Sequence, residues 1–453
     1  MKRHTMTRLI DWKNDPQRKP LLLLGARQVG KTWLMNEFGK RNFSKVAYIR
    51  FDRNERMRNV FLENDNIERL LLALQLEVGF KITPEDTLIL FDEIQASPQA
   101  LTSLKYFCED APEYAIIGAG SLLGVAEHDG TGFPVGKVDR IYLYPMTFTE
   151  FLEATGNERF AELIDRRDWQ MLSAFQSNLA DLLRQYYFIG GMPEAVDTFV
   201  KYQDFNRVRR VHERLLNDYR DDFGKHAPKE LVPRIEMIWD SIPAQLSKEN
   251  KKFIFSAVHK NLRAKDLEMS MRWLLDAGLI LHTVRVTKPA LPIDAYRDNF
   301  FKVFFLDIGL LAAKAKLNAR TLLEGNRIFQ EFKGALAEQY VQQQLLAECG
   351  LETYYWASEK SGSEIDFLIQ NEMSIVPIEV KAEVNLQAKS LKFYCLKFRP
   401  PVAIRTSMGK YYKQTISFSE TSDVHASEGY TLIDLPLYAI SRIQQECAMI
   451  SDK

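Results

Sequence analysis

The sequence predicts an α/β protein whose first part is a doubly wound nucleotide-binding domain. Three observations predict it. Short apolar runs alternate with amphipathic stretches through residues 1–150, the first run flows into a glycine-rich loop ending in Lys31-Thr32, and a later run ends in two carboxylates, Asp92 and Glu93. The chain has 453 residues, 46% of them apolar, which at the usual domain size is about three domains, each able to bury a core.

The text divides into residues 1–150, a phosphate-loop ATPase core; 151–225, a charged helical lid or linker; 226–326, a winged-helix-like segment; and 327–453, a second α/β unit. With 60 basic and 60 acidic residues the net charge is zero, which disfavours a protein that coats nucleic acid along its whole surface. The four cysteines, Cys108, Cys349, Cys395 and Cys447, lie far apart without a CxxC pair, arguing against a zinc knuckle or a disulfide framework. A reducing cytoplasm fits that usage. After Met1-Lys2-Arg3-His4 the chain carries Asp11, Lys13, Asn14 and Asp15 instead of an apolar segment, so a secretory leader is not expected. The longest apolar runs are strand-length, far short of the roughly 20 residues a membrane helix needs, and no membrane partner is expected.

The runs at 21–24, 46–51, 87–91 and 114–118 are the expected strands of the first domain. Leu21 to Leu24 lead into Gly25-Ala26-Arg27-Gln28-Val29-Gly30-Lys31-Thr32, with a helix expected from Trp33 to Lys40, so every fixed position of the phosphate-loop pattern is filled in the right context. The glycines let the backbone turn its N–H groups and the helix N-terminus toward the phosphates of ATP. Lys31 then reaches the β- and γ-phosphates and Thr32 presents its hydroxyl to Mg²⁺. Thr87 to Phe91 form the strand that delivers Asp92 to the Mg²⁺ shell and Glu93 to the attacking water, so the pair points to hydrolysis as well as binding. A third strand, Tyr114 to Gly118, ends near Ser121, a candidate sensor of the γ-phosphate.

Gly25 to Thr32, Phe91-Asp92-Glu93-Ile94-Gln95, Gly120-Ser121, Tyr144-Pro145-Met146-Thr147-Phe148-Thr149-Glu150, Gly190-Gly191-Met192-Pro193-Glu194 and Phe305-Leu306-Asp307-Ile308-Gly309-Leu310 together resemble the prokaryotic AAA-type ATPases that carry a C-terminal domain of unknown function. The resemblance implies a strand order with the phosphate-loop strand central and Ser121 as the sensor. It also implies a basic residue near Gly136 acting on the γ-phosphate; that position is held by Lys137, with Arg140 three residues on.

In 226–326, the expected helix from Leu262 to Ala277, closed by Gly278 and followed by the alternating run Leu279 to Val286, is a plausible winged helix. Lys260, Arg263, Lys265 and Arg272 are its candidate DNA contacts, set against Asp266, Glu268 and Asp276 on the same helix. Beyond a long helix from Phe329 to Glu348, strands are expected at 352–356, 364–369, 374–382 and 402–406. A hairpin turning at Glu372-Met373 would set Asp366 opposite Glu379. By alternation Asp366, Glu379 and Lys381 then share one face, while Ile365, Phe367, Ile378 and Val380 share the other. Two carboxylates that close can hold a divalent cation, and a lysine on the same strand can orient or deprotonate a water; Glu338, on the preceding helix, could complete the shell. This resembles the PD-(D/E)xK nuclease fold.

Three functions remain open on this evidence: an ATPase that drives or gates a nuclease acting on DNA or RNA, an ATP-dependent switch for protein partners with the nuclease-like fold inactive, and a DNA-binding regulator.

Overall fold

The structure, a computed structural model, describes residues 1–120, 133–248, 251–324, 330–358, 361–382, 388–418 and 429–451. Two compact units divide the chain: residues 1–144 with 272–279, and residues 145–271 with 280–453.

In the first unit, leucine- and isoleucine-rich runs without alternation form three inner strands buried on both faces, with a partly exposed strand at each edge of a parallel sheet. These are β1 (Leu21–Leu24), β2 (Lys45–Arg50), β3 (Thr87–Asp92), β4 (Ala115–Ala119) and β5 (Asp139–Tyr142). Their order is β2-β3-β4-β1-β5, and every pairing is parallel. The phosphate-loop strand is therefore interior, flanked by β4 and β5. Strand β5 was not expected: its text, Asp-Arg-Ile-Tyr, is polar because only Ile141 is buried there. Beneath β3, the rings of Phe51, Phe61 and Phe91 pack edge-to-face with centroids 5.3, 5.4 and 5.6 Å apart. That geometry adds about 0.5–1.5 kcal/mol per pair to the burial of the rings and anchors the strand that carries Asp92 and Glu93.

The second unit begins with the helices expected between 151 and 225, among them Gln176–Ile189, Pro193–Tyr202 and Phe205–His226. Its sheet has eight strands: β6 (Ile280–Val286), β7 (Arg297–Phe305), β8 (Tyr354–Ala357), β9 (Glu364–Gln370), β10 (Ile375–Val380), β11 (Val402–Ser407), β12 (Tyr412–Ser417) and β13 (Gly429–Pro436). The order is β12-β13-β11-β10-β9-β8-β6-β7. The helix expected from Leu262 spans Ala264–Asp276, and the hairpin after it, β6 with β7, does not stand as a free wing. It joins the C-terminal sheet, because β6 pairs in parallel with β8 at Val284–Tyr354 and Arg285–Tyr355.

Three of the quoted motifs meet inside this unit. Thr147 and Glu150 form a reciprocal cap on the helix Phe148–Ala154, the Glu150 carboxylate accepting from the Thr147 N–H at 3.0 Å. The Asp307 carboxylate accepts from the Gly191 N–H at 2.6 Å and from the Leu310 N–H at 3.0 Å. A Cβ at Gly191 would lie 2.0 Å from the Met146 carbonyl, so no side chain fits there. Burial pushes the Asp307 carboxyl up to about 6, with the backbone donors pulling it back. These motifs thus act through packing and capping. Among the described residues, no helix is long and apolar enough to cross a membrane.

Candidate functional site

Parallel pairing places the C-terminal ends of β1, β3 and β4 along one sheet edge, where open α/β sheets hold their ligands. The loop leaving β1 turns on Gly25 at φ 141°, Gln28 at 67° and Gly30 at 99°, and the helix Lys31–Asn42 starts directly behind Gly30. These positive φ values are the reason for glycine at both ends of the loop. A Cβ on Gly25 would sit 2.2 Å from the Leu143 carbonyl oxygen. Gly25→Ala is accordingly expected to destabilise the first unit by about 1–3 kcal/mol and to weaken ATP binding, read by urea unfolding and calorimetry.

Lys31 curls over this loop, its ammonium donating to the Gly25 and Ala26 carbonyls at 2.8 Å each. Burial lowers it to about 8, the charges of Glu93 and Asp92 opposing the drop. Thr32 donates to Asp92 at 3.0 Å, and the Tyr48 hydroxyl donates to the same carboxylate at 2.6 Å. Burial and then Asp92 raise the Tyr48 phenol, which stays a donor. Glu93 takes a left-handed backbone at φ 50°, and its carboxylate accepts from the Gln95 amide at 2.6 Å. Strain of this kind in a non-glycine residue concentrates where a side chain must be aimed. Lys31, Thr32, Asp92 and Glu93 thus converge, and the donor set fits Mg²⁺ with a nucleotide: a hard carboxylate beside a hydroxyl, under a loop of backbone N–H groups.

The structure does not bring Lys137 to this loop. Asp139, two residues later, lies level with Leu21 at the start of β1, and Lys19, just ahead of β1, donates to the Gly136 carbonyl at 2.9 Å. Lys137 therefore belongs to the opposite edge of the sheet, where it pairs with Glu109 at 2.9 Å. Parallel pairing is the physical reason, because the segment entering β5 must start where β1 starts. Ser121 lies outside the described residues.

Two positions around the loop carried no sequence signal. Arg3 is buried and donates to the Val29 carbonyl at 2.9 Å and to the Tyr144 carbonyl at 2.6 Å, tying the loop to the chain beyond β5. Nothing in the N-terminal text marks it apart from other surface arginines. Tyr48 reads as a strand aromatic, and only the β2–β3 pairing sets it beside Asp92.

A second cluster forms in the other unit. The β9–β10 pairing runs Gln370–Ile375, Ile369–Val376, Leu368–Pro377 and Phe367–Ile378, and the next step sets Asp366 level with Glu379. The face is only partly solvated: β10 lies between β9 and β11 with all six of its residues buried, while Asp366 and Lys381 stay partly exposed. Asp366 accepts from the Val380 N–H at 2.8 Å, and Lys381 pairs with Glu379 at 2.7 Å. Glu338 is bound by Lys251 at one oxygen and by Lys302 at the other, the latter at 3.4 Å. Lys302, fully buried on β7, also lies 2.5 Å from Glu364 and 3.9 Å from Asp366. Burial pushes the carboxyls of Asp366 and Glu379 up, helped at both by Glu338 and at Asp366 also by Glu379, while Lys381 pulls Glu379 back. Burial also works against an ionised Glu338, but Lys251 and Lys302 outweigh it and hold that carboxyl below its ordinary value. Lys302, Lys251 and Glu364 were not expected here. The legible clue was a lone lysine inside Phe300-Phe301-Lys302-Val303-Phe304, since a buried ammonium needs a carboxylate.

Residues 17–152 match the family model of an AAA domain. That stretch is similar to an AAA-type P-loop domain, and it contains the loop, Asp92 and Glu93. Residues 180–321 and 333–424 match two further models, each described as a domain of unknown function, DUF8612 and DUF4143. Among solved structures the chain is similar to the Walker-type ATPase PABY2304 of Pyrococcus abyssi, at 16% identity over 69% of this chain and 95% of that one, with a TM-score of 0.42. It is also similar to the Aeropyrum pernix ORC1 protein in complex with DNA, at 12% identity over 70% of this chain and 93% of that one, TM-score 0.29. Cdc6p from Pyrobaculum aerophilum aligns at 13% identity over 72% of this chain and 96% of that one, TM-score 0.24. No curated protein matches.

Proposed function

We propose that the protein is a Mg²⁺-dependent ATPase of the AAA type, joined to a C-terminal domain with the residue plan of a PD-(D/E)xK nuclease. The observation that carries the first part is the convergence of Lys31, Thr32, Asp92 and Glu93 at one edge of a parallel sheet. Thr32 and Asp92 would hold Mg²⁺, which when bound neutralises charge on the phosphates. Lys31 supplies the fixed positive charge for the β- and γ-phosphates. Glu93, next to Asp92 but held by Gln95 instead of by the metal pair, is the group left to orient the attacking water.

Glu93→Gln is expected to keep ATP affinity within about threefold while turnover falls by about 100-fold or more, because water activation matters in the transition state alone. Paired calorimetry and phosphate-release assays measure both. Parent-like turnover would remove Glu93 from this role.

For the C-terminal domain, support comes from the β9–β10 register and from Glu338, Asp366, Glu379 and Lys381 drawn into one charged cluster. A second reading, an ATP-dependent switch for a protein partner with the nuclease-like fold inactive, is favoured by the two additional lysines in that cluster. A DNA-reading helix has less behind it. In Ala264–Asp276 the side chain of Arg272 lies 3.6 Å from Asp276, and the Asp266 carboxylate accepts from the Arg263 N–H at 2.9 Å. Lys31→Ala and Lys381→Ala in parallel ATPase and Mn²⁺-dependent cleavage assays separate these readings. Cleavage of DNA or RNA lost in Lys381→Ala establishes a working nuclease, and its absence from the parent favours the switch.

A further inference from the structure

Within the nuclease-like arrangement proposed above, on which this inference rests, the residues present do not fit a divalent cation. A cation held by Asp366 and Glu379, with Glu338 completing its shell, would sit against the oxygens of these carboxylates at ligand distances near 2.0–2.6 Å. Lys302 already brings its ammonium there, 3.4 Å from Glu338 and 3.9 Å from Asp366, while closing on Glu364 at 2.5 Å. It approaches from β7, on the far side of β6 and β8 in strand order, and is fully buried. Lys251 takes the other Glu338 oxygen.

We propose that the Lys302 ammonium stands where a nuclease of this plan would hold its metal, making the C-terminal domain a metal-independent scaffold. The charge count agrees. With every group ionised, Glu338, Glu364, Asp366 and Glu379 against Lys251, Lys302 and Lys381 leave at most one negative charge, too little to retain a divalent ion beside a buried ammonium. Among the described residues, no group of three or more His, Cys, Asp or Glu is arranged to hold a metal ion. One feature leans the other way: Glu379 Oε2 is buried without a hydrogen-bond partner. Its other oxygen is held by Lys381, so this single atom offers a cation one protein ligand.

The test uses the full chain without nucleotide and Mn²⁺ as the probe, comparing the parent, Asp366→Asn, Lys302→Met and the double variant by calorimetry and thermal unfolding. Methionine keeps the length of the lysine stem and removes its charge. The parent is expected to show no Mn²⁺ binding that depends on Asp366. Lys302→Met is expected to unfold at a lower temperature without metal and to regain about 5 °C or more with saturating Mn²⁺, a gain that Asp366→Asn removes. Mn²⁺ binding by the parent that Asp366→Asn abolishes overturns the proposal. So does a folded Lys302→Met that binds no Mn²⁺. If Lys302→Met fails to fold in any buffer, the comparison of the parent with Asp366→Asn decides alone. A metal-free midpoint for Lys302→Met equal to the parent's would show that the cluster itself does not form, which overturns the underlying arrangement along with the inference.

Discussion

Lys31→Ala is expected to bind ATP at least about a hundredfold more weakly than the parent, because the lost ammonium supplies charge-assisted bonds to two phosphates, each contributing about 1.5–3 kcal/mol. The effect should be large because Lys31 is preorganised: it is buried and held at 2.8 Å by two loop carbonyls, so little side-chain entropy remains to be lost on binding. The same burial gives the reaction a pH signature. In the free protein Lys31 is lowered to about 8. Phosphates require its charged form, so binding costs protonation once the pH passes that value. ATP affinity should thus be flat below pH 8 and fall by about tenfold at pH 9, while the triphosphate stays fully ionised. Calorimetry at several pH values checks this. The corresponding stability term runs the other way: between about 8 and the ordinary 10.5 the unfolded chain holds a proton that the native chain lacks, so this residue's contribution rises with pH across that window.

Lys302→Ala should be the most damaging single substitution in the second unit, costing about 3–5 kcal/mol, because it strands Glu338, Glu364 and Asp366 around an uncompensated buried charge. Lys381→Ala, whose side chain is 30% exposed and meets one carboxylate, should cost far less. Urea unfolding of both variants makes the comparison. The Lys302 term has a definite sign as well. Burial would lower this lysine, but Glu338, Glu364 and Asp366 outweigh it and raise it, so its pairing contributes fully below the ordinary 10.5 and fades only as the pH climbs through the raised native value. In Lys302→Ala the penalty should shrink toward acidic pH, where the stranded carboxyls take up protons. A penalty that stays constant between pH 7 and pH 4 would mean the carboxylates are not stranded.

The two sites differ in how far the text exposed them, and the difference is physical. A phosphate loop is contiguous: its chemistry depends on eight successive residues and on local φ values that glycine alone adopts freely, so Gly25, Gly30, Lys31 and Thr32 were readable together. Asp92 and Glu93 were readable because a buried strand must end before two charges. The β9–β10 register was readable because a one-residue slip would exchange Phe367 for Asp366 in the core. Edge strands carry weaker patterns, which is why β5, with one buried residue, and β12, with none, escaped notice.

Sequence by itself determined the phosphate-loop motif and its place between a strand and a helix, the parallel α/β character of the first unit and the parity of the β9–β10 pairing, since each rests on neighbours in the chain or on a period of two. Tertiary structure alone decided the rest. The direction of β5 relative to β1 removed Lys137 from the loop, pairing of β2 with β3 set Tyr48 on Asp92, and a strand from the winged-helix-like segment, beyond the run Leu279 to Val286, carried Lys302 into the carboxylates. Those partners are separated by tens of residues, 36 between Lys302 and Glu338 and 44 between Tyr48 and Asp92. Over such distances no local propensity or spacing carries information, and only the pairing of strands and the exclusion of water decide which charges meet.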